Sequence, residues 1–385
     1  MTGVRANLLY VSLGLSLLGV VMVYSATYRF VGTDALVGRI THLALGLAVF
    51  AVVSRVRYTV WRKYSTALYA VVLAGLVLVL IPGIGQEING ARRWLDVGFM
   101  SLQPSEFAKI SAIIFLSCAL ARLKPGSGLP LKPLAATGVL FGLVLIQPDF
   151  GTSVILLAGV AGALWASEVR TRDLVVIGAG AVAALAVVML LAPYRRERFL
   201  TFLDPLAVAD TSGYQNVQAM IAMKAGGLFG SGAGSGGRGA IVPEINTDMI
   251  FALIGEELGL FGMVCVIGAF LFLALCGVKI ALDAPSVMAR CVAAGLTTML
   301  TVQAVFNMGA AMVVLPLAGM TLPFVSYGGS SLLVCFAAVG ILYRISEDSE
   351  RAREIKPKPG KPRASHPDSR RRNGRTRDPR AVRGL

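Results

Sequence analysis

Apolar runs of about twenty residues recur from one end of the chain to residue 345, and that repetition constrains the fold more than any other feature. A bilayer core about 30 Å thick is crossed by about 20 apolar helical residues. Backbone groups in lipid must also be satisfied within the protein, so successive runs of this kind specify membrane helices. Hydrophobic residues make up 56% of the chain and charged residues 15%, against roughly 25% charge in a soluble protein. The expected fold is an all-α integral membrane protein. About ten helices are placed near 8–25, 36–55, 64–82, 104–121, 131–147, 152–167, 173–192, 247–281, 284–314 and 324–344. Two of these, 247–281 and 284–314, exceed one bilayer thickness and are expected to be tilted, extended or broken. The first run is long for a signal peptide and lacks a small-x-small cleavage site, so it reads as a retained helix.

Basic residues orient the stack. Arg55, Arg57, Arg62 and Lys63 flank the second connection, Arg122, Lys124 and Lys132 the fourth, Arg170 and Arg172 the sixth, and Lys279 and Arg290 the eighth. Ten helices put all of these on one side, with both termini cytoplasmic. The division is then a membrane domain, 1–345, and a cytoplasmic tail, 346–385. Thirteen Lys/Arg against three Asp/Glu after residue 350 account for most of the net charge of +15. That tail is rich in Pro, Ser and Gly and is predicted to be disordered. Its charge suits anionic lipid head groups, so the basic balance does not call for a nucleic-acid partner. The five cysteines sit in apolar runs without CxxC spacing and read as core residues. The two histidines, His42 and His366, are far apart, which argues against a His-based zinc site.

Polar chemistry concentrates in the odd-numbered, outward connections: 83–103, the Gln147–Thr152 turn and the large loop 193–246 between the seventh and eighth helices. The first carries Asn89-Gly-Ala-Arg92-Arg93-Trp94. Its two arginines read as an interfacial anchor or as a clamp for phosphate oxygens. Next comes Gln103-Pro104-Ser105-Glu106-Phe-Ala-Lys109. Ser105 is a helix cap there, and Glu106 and Lys109, three apart, share one face and can pair. A lysine one turn inside a membrane helix usually faces a polar cavity. Asp149 follows, as a cap or as a functional acid.

The long loop holds Arg195, Arg196 and Arg198, against the charge rule, then Tyr214 and Gln215. An apolar stretch, Val217–Phe229, is expected to lie flat in the interface. A formal GxGxxG match at Gly232, Gly234 and Gly237 lacks a preceding buried strand and reads as a loop. Asn246 or Thr247 is expected to cap the eighth helix, leaving Asp248 in its first turn, as a dipole-stabilising or functional carboxylate. The last outward segment, with Pro316, Pro323 and Ser326-Tyr-Gly-Gly-Ser-Ser, breaks the backbone at membrane depth and so reads as a structured cavity wall.

Taken in order, NGARRWL, QPSEFAK, QPDFGT, SGYQ, the PExxTD block and LPF-SYGGSS resemble the FtsW/RodA/SpoVE (SEDS) family over roughly residues 8–345, slightly closer to FtsW. The resemblance implies a peptidoglycan glycosyltransferase of the bacterial cytoplasmic membrane. It implies polymerisation of lipid II on the outer face, in division or cell-shape maintenance. The implied partners are a class B penicillin-binding protein and other divisome or elongasome membrane proteins. By position the family's essential aspartate is Asp248, and its polar pair is Glu106 and Lys109. Asn246 stands where many members carry His. Inverting displacement of a diphosphate needs one base and a cationic environment. Asp248 is the expected base; Arg92, Arg93, Lys109 and Arg198 are the expected cations, with a divalent cation as a supplement. Asp149, Tyr214, Gln215 and Ser326 complete the expected substrate-binding set, with no metal ligand among them. A lipid II flippase and a non-catalytic scaffold are the alternatives.

Overall fold

The computed structural model describes residues 2–355 apart from 89, 99, 125, 192, 236 and 238–241. Each of the ten expected helices has a counterpart: α1 (Thr2–Val31), α2 (Asp34–Val53), α3 (Tyr58–Leu80), α4 (Pro104–Leu120), α5 (Leu131–Ile146), α6 (Phe150–Trp165), α7 (Thr171–Leu191), α10 (Ile250–Leu282), α11 (Val287–Ala311) and α12 (Gly329–Ile355). Two more, α8 (Pro193–Leu203) and α9 (Tyr214–Gly226), lie within the long loop. Seven of the helices, α1, α2, α3, α7, α10, α11 and α12, are long and apolar enough to cross a membrane, while the apolar α5 and α6 are shorter. The chain is a helical multi-pass membrane protein.

The structure corrects or extends the sequence reading in four places. Segment 83–103 is not a plain loop but an antiparallel sheet, β1 (Gly85–Ile88), β2 (Ala91–Asp96) and β3 (Ser101–Leu102), in that spatial order. Gly90, at φ 74°, supplies the left-handed residue of the β1–β2 hairpin. The stretch 217–229 forms most of α9, which packs on α10 through Asn216, Ala219, Ala222 and Gly226. A Cβ on Gly226 would come within 2.0 Å of the Gly255 carbonyl oxygen, so only glycine permits this approach. α12 continues to Ile355, which makes 346–355 helical; the rest of the expected tail, 356–385, lies outside the described residues. Among the cysteines, Cys265 is exposed on α10 rather than in the core.

The overlong eighth run is a broken helix. Gly259 takes φ 67°, ψ −166°, a conformation closed to residues with a Cβ. The orphaned backbone groups find partners in the loop after α9. Ser231 and Gly232 donate to the carbonyls of Glu256 and Glu257, and Leu260 and Phe261 donate to those of Gly227 and Leu228. Irregular backbone here is tolerated because protein satisfies it. Glu256 and Glu257 are buried at the break, where Glu257 accepts a hydrogen bond from Ser25 of α1. The buried apolar residues form two clusters. One spans α1, α10, α11 and α12; the other joins α3, α4, α5 and α6. α4 contributes to both and carries the first polar motif between them.

Candidate functional site

Chain entry into α4 sets the first half of the site. Pro104 occupies the first helical position, where a missing N–H costs nothing. The N-cap is therefore Gln103, not Ser105 as expected. Ser105 turns its hydroxyl to Asp149 Oδ2 at 2.9 Å, and Gln103 Nε2 donates to the same oxygen at 2.9 Å. Asp149 caps α6 by accepting from the Thr152 amide and thereby locks α4 to α6. One turn on, Lys109 Nζ lies 2.8 Å from Glu106 Oε2 and donates to Gln303 Oε1 of α11 at 3.0 Å. Gln303 donates to the Thr321 carbonyl, and the Thr321 and Ser331 hydroxyls are 2.8 Å apart. Lys109 and Glu106 are almost fully buried, so this network rather than water balances their charges. Together with His42 and Tyr327 it lines a cavity of about 480 Å³.

A second cavity, of about 610 Å³, shares Trp94, Gln103, Gly319, Thr321, Tyr327 and Gly328 with the first. Its walls carry Asp248, Glu244, Arg93, Arg198 and Gln215. Asp248 does not occupy the first turn of α10. Residues 246–248 form turns, Thr247 spends its hydroxyl on Glu244 Oε2 at 2.9 Å, and the helix begins at Ile250 without a side-chain cap. The carboxyl therefore projects from a turn. Asn307 holds it from α11 by donating to the Asp248 carbonyl at 2.9 Å. From the other side Ser326 Oγ donates to the Thr247 carbonyl at 2.6 Å, and the Tyr327 amide donates to the Asn246 carbonyl at 2.8 Å. Burial pushes the Asp248 carboxyl up to about 6; Glu244 adds to the rise, and Arg198 and Arg93 oppose it. Gly319, at φ 67°, sits between carboxyl and guanidinium: a Cβ there would lie 3.7 Å from both Asp248 Oδ2 and an Arg198 nitrogen.

The expected residues therefore divide. Asp248, Arg93, Arg198 and Gln215 meet in one cavity; Glu106 and Lys109 line its neighbour. Asp149 and Ser326 act beneath the walls, tying elements together. Arg92 points the other way and pairs with Glu87 at 2.9 Å, because successive strand residues face opposite sides. Tyr214 is half-buried at the start of α9 and lines neither cavity. The Arg195 side chain lies outside the described residues. Sequence reasoning missed Gln303, and it missed Arg39, a fully buried cation in an apolar helix. It considered His42 only as a zinc ligand. A lone arginine within an apolar run was a legible signal for Arg39. Among the described residues no three His, Cys, Asp or Glu side chains converge to hold a metal.

A family model described as cell cycle protein, covering FtsW, RodA and SpoVE, matches residues 5–351. A probable peptidoglycan glycosyltransferase FtsW of Coxiella burnetii is 38% identical over 357 residues, covering 88% of this chain and 95% of that one. Stage V sporulation protein E of Bacillus subtilis is 36% identical, covering 89% and 96%. Among solved structures, a chain from a peptidoglycan synthase complex that coordinates polymerization and crosslinking aligns with a TM-score of 0.75 at 32% identity, covering 89% of this chain and 97% of that one. Thermus thermophilus rod shape determining protein RodA aligns with a TM-score of 0.67 at 28% identity, covering 89% and 96%. The chain belongs to the FtsW/RodA/SpoVE family of cell cycle proteins.

Proposed function

We propose that this chain is a peptidoglycan glycosyltransferase of cell division or cell-shape maintenance that polymerises lipid II, with Asp248 as its general base. The observation that carries this reading is a carboxyl held near neutrality in an open cavity beside Arg93 and Arg198. A base is most useful when its pKa lies near the working pH. In the reaction, Asp248 takes the proton of the attacking sugar hydroxyl as that oxygen bonds to the anomeric carbon of the donor sugar. The bond from that carbon to the diphosphate breaks, and undecaprenyl diphosphate departs. Attack and departure on opposite faces invert the anomeric centre. Diphosphate is a good leaving group without protonation, so its oxygens need only positive charge, which Arg198 and Arg93 supply. Lys109 is already committed to Glu106 and Gln303, so its part is to hold the α4–α11 wall.

On this reading the chain crosses the cytoplasmic membrane ten times and both cavities open on its outer face, where lipid II presents its sugars. The positive-inside distribution supports that orientation. A class B penicillin-binding protein is the partner that would crosslink the product. Purified protein with that partner and labelled lipid II in detergent tests the reading. The expected result is a ladder of glycan chains, digested by muramidase and lost in Asp248→Asn. Because general-base contributions run to about 10²–10⁴-fold, an Asp248→Asn variant that keeps most of the activity removes the assignment. An inert wild type, intact and partner-bound, points instead to lipid transport or scaffolding.

A further inference from the structure

Arg39 is the largest fully buried side chain among the described residues, and among them it makes no ion pair. Its guanidinium instead donates to two backbone carbonyls, Ser326 O at 2.8 Å and Phe324 O, while its Nε has no partner. An unneutralised cation inside a membrane helix is costly and is retained for function more often than for stability. The turn it grips, 322–327, is closed by the Val325 and Ser326 amides donating to the Leu322 carbonyl and by the Leu322 amide donating to Ser326 Oγ, yet it carries strain: Phe324 takes φ 66°, a conformation unfavourable for an aromatic residue. The same turn reaches the base from the far side. Ser326 and Tyr327 bond to the carbonyls of Thr247 and Asn246, the two residues before Asp248.

A third element completes the clamp. Gly19 of α1 faces the contact so closely that a Cβ there would lie 2.6 Å from the Arg39 Nη2 and 2.8 Å from the Phe324 carbonyl oxygen. Glycine leaves room for the guanidinium beside the turn. We infer that Arg39 is a positioning residue for the Asp248 carboxyl, acting through the 322–327 turn, with Gly19 opening the space in which it does so. The inference rests on the reading of Asp248 as the general base. Arg39 does not face either cavity and is absent from the charges that set the Asp248 pKa, so its action is geometric. A catalytic group misplaced by about 1 Å loses up to 10²-fold in rate, which sets the scale of the effect.

The test uses the full chain with its penicillin-binding partner and a concentration series of lipid II. Arg39→Lys keeps the charge but loses the two-pronged grip; Gly19→Ala keeps the guanidinium and displaces it; Ser326→Ala cuts the link to Thr247. Each is expected to lower the maximal rate about tenfold, with the half-saturating concentration within about twofold of wild type. Pairs are expected to be no slower than the slower single variant, because they break one chain of contacts. Wild-type rates in both Arg39→Lys and Gly19→Ala overturn the inference. So does a loss confined to half-saturation, or a lower yield of folded protein with undiminished turnover. If Arg39→Lys fails to fold, Gly19→Ala alone decides the matter. An active Asp248→Asn sinks the general-base reading itself; an inactive one beside fully active Arg39→Lys and Gly19→Ala sinks only the role of Arg39.

Discussion

α7 and α12 each carry a stretch long and apolar enough to cross a membrane, yet 83% of that stretch is buried inside the protein in α12 and none in α7. The difference shows that hydropathy reports on the solvent, not on the core. Lipid is as apolar as a leucine side chain, so burial in protein must be driven by close packing and hydrogen bonds. α7 reads Val-Val-Ile-Gly-Ala-Gly-Ala-Val, and nothing in the chain approaches within 4 Å of a Cβ built on Gly178 or Gly180. α12 opens with Gly329, Ser330 and Ser331. Ser330 bonds to the Gln103 amide and Ser331 to Thr321, and at Gly340 the backbone approaches Val53 of α2. The inner helices are held by polar contacts that lipid cannot replace, and the outer ones by lipid itself.

If that contrast is right, the largest penalty falls where an inner polar pair is halved. Lys109→Met leaves the Glu106 carboxylate buried without its cation. Orphaning one member of a buried pair costs about 3–5 kcal/mol, to be read as lost stability in detergent. The double change Glu106→Gln with Lys109→Met is expected to recover a large part of it. A Lys109→Met protein as stable as wild type would break the comparison outright. Next in size is Gly259→Ala at the break in α10, where a Cβ would lie 2.3 Å from the Gly230 nitrogen. Forcing a side chain into this glycine-only conformation costs about 1–3 kcal/mol. The same thermal melt reads it, and no loss there would mean that the α9–α10 contact is not a fixed joint.

The two helix classes also explain what was legible in the sequence. Every apolar run became a helix, because length and hydropathy suffice to specify a lipid-facing segment. QPSEFAK yielded the Glu106–Lys109 pair, because i, i+3 spacing on a helix is local information. The hairpin around Gly90 was less visible, since its strands are short and half exposed. The facing sides of Arg92 and Arg93 followed only once the strand was known. Asp248 was identified by position, but its escape from the α10 first turn depends on Thr247 bonding to Glu244 and on Ser326, 79 residues away, bonding to Thr247. Arg39 and Gln303 were missed for a related reason. Each is a single polar residue in an apolar run, and its meaning lies in a partner far along the chain.

An intermediate effect concerns the charges around Asp248. A general base acts when deprotonated, and its pKa is raised to about 6. The polymerisation rate is therefore expected to fall about tenfold per pH unit below that value and to level off above it. Glu244 raises the pKa, so Glu244→Gln is expected to move the midpoint down; Arg198 lowers it, so Arg198→Met is expected to move it up. The midpoint, not the plateau, is the quantity to compare, because Arg198 also lines the cavity. Shifts in the reverse directions would mean that Asp248 is not the titrating group.

The smallest effect sharpens the comparison most directly, because it sets an apolar enlargement on an outer helix against one on an inner helix. Val182 on α7 is 68% exposed, toward lipid if the helix crosses the membrane. Val182→Leu adds one methylene to a surface that has no fixed neighbour, and its cost is expected to lie within about 0.5 kcal/mol. Ala338 on α12 is fully buried among the inner helices. Ala338→Leu forces a larger group into a packed wall and is expected to cost about 1–3 kcal/mol. Both are apolar-to-apolar changes that raise hydropathy, so any rule based on hydropathy alone predicts that they behave alike. Melting curves of the two variants in the same detergent separate the views. Equal stabilities would mean that α12 is held as loosely as α7, and that the buried hydroxyls at its outer end, rather than packing along its length, fix it against the site.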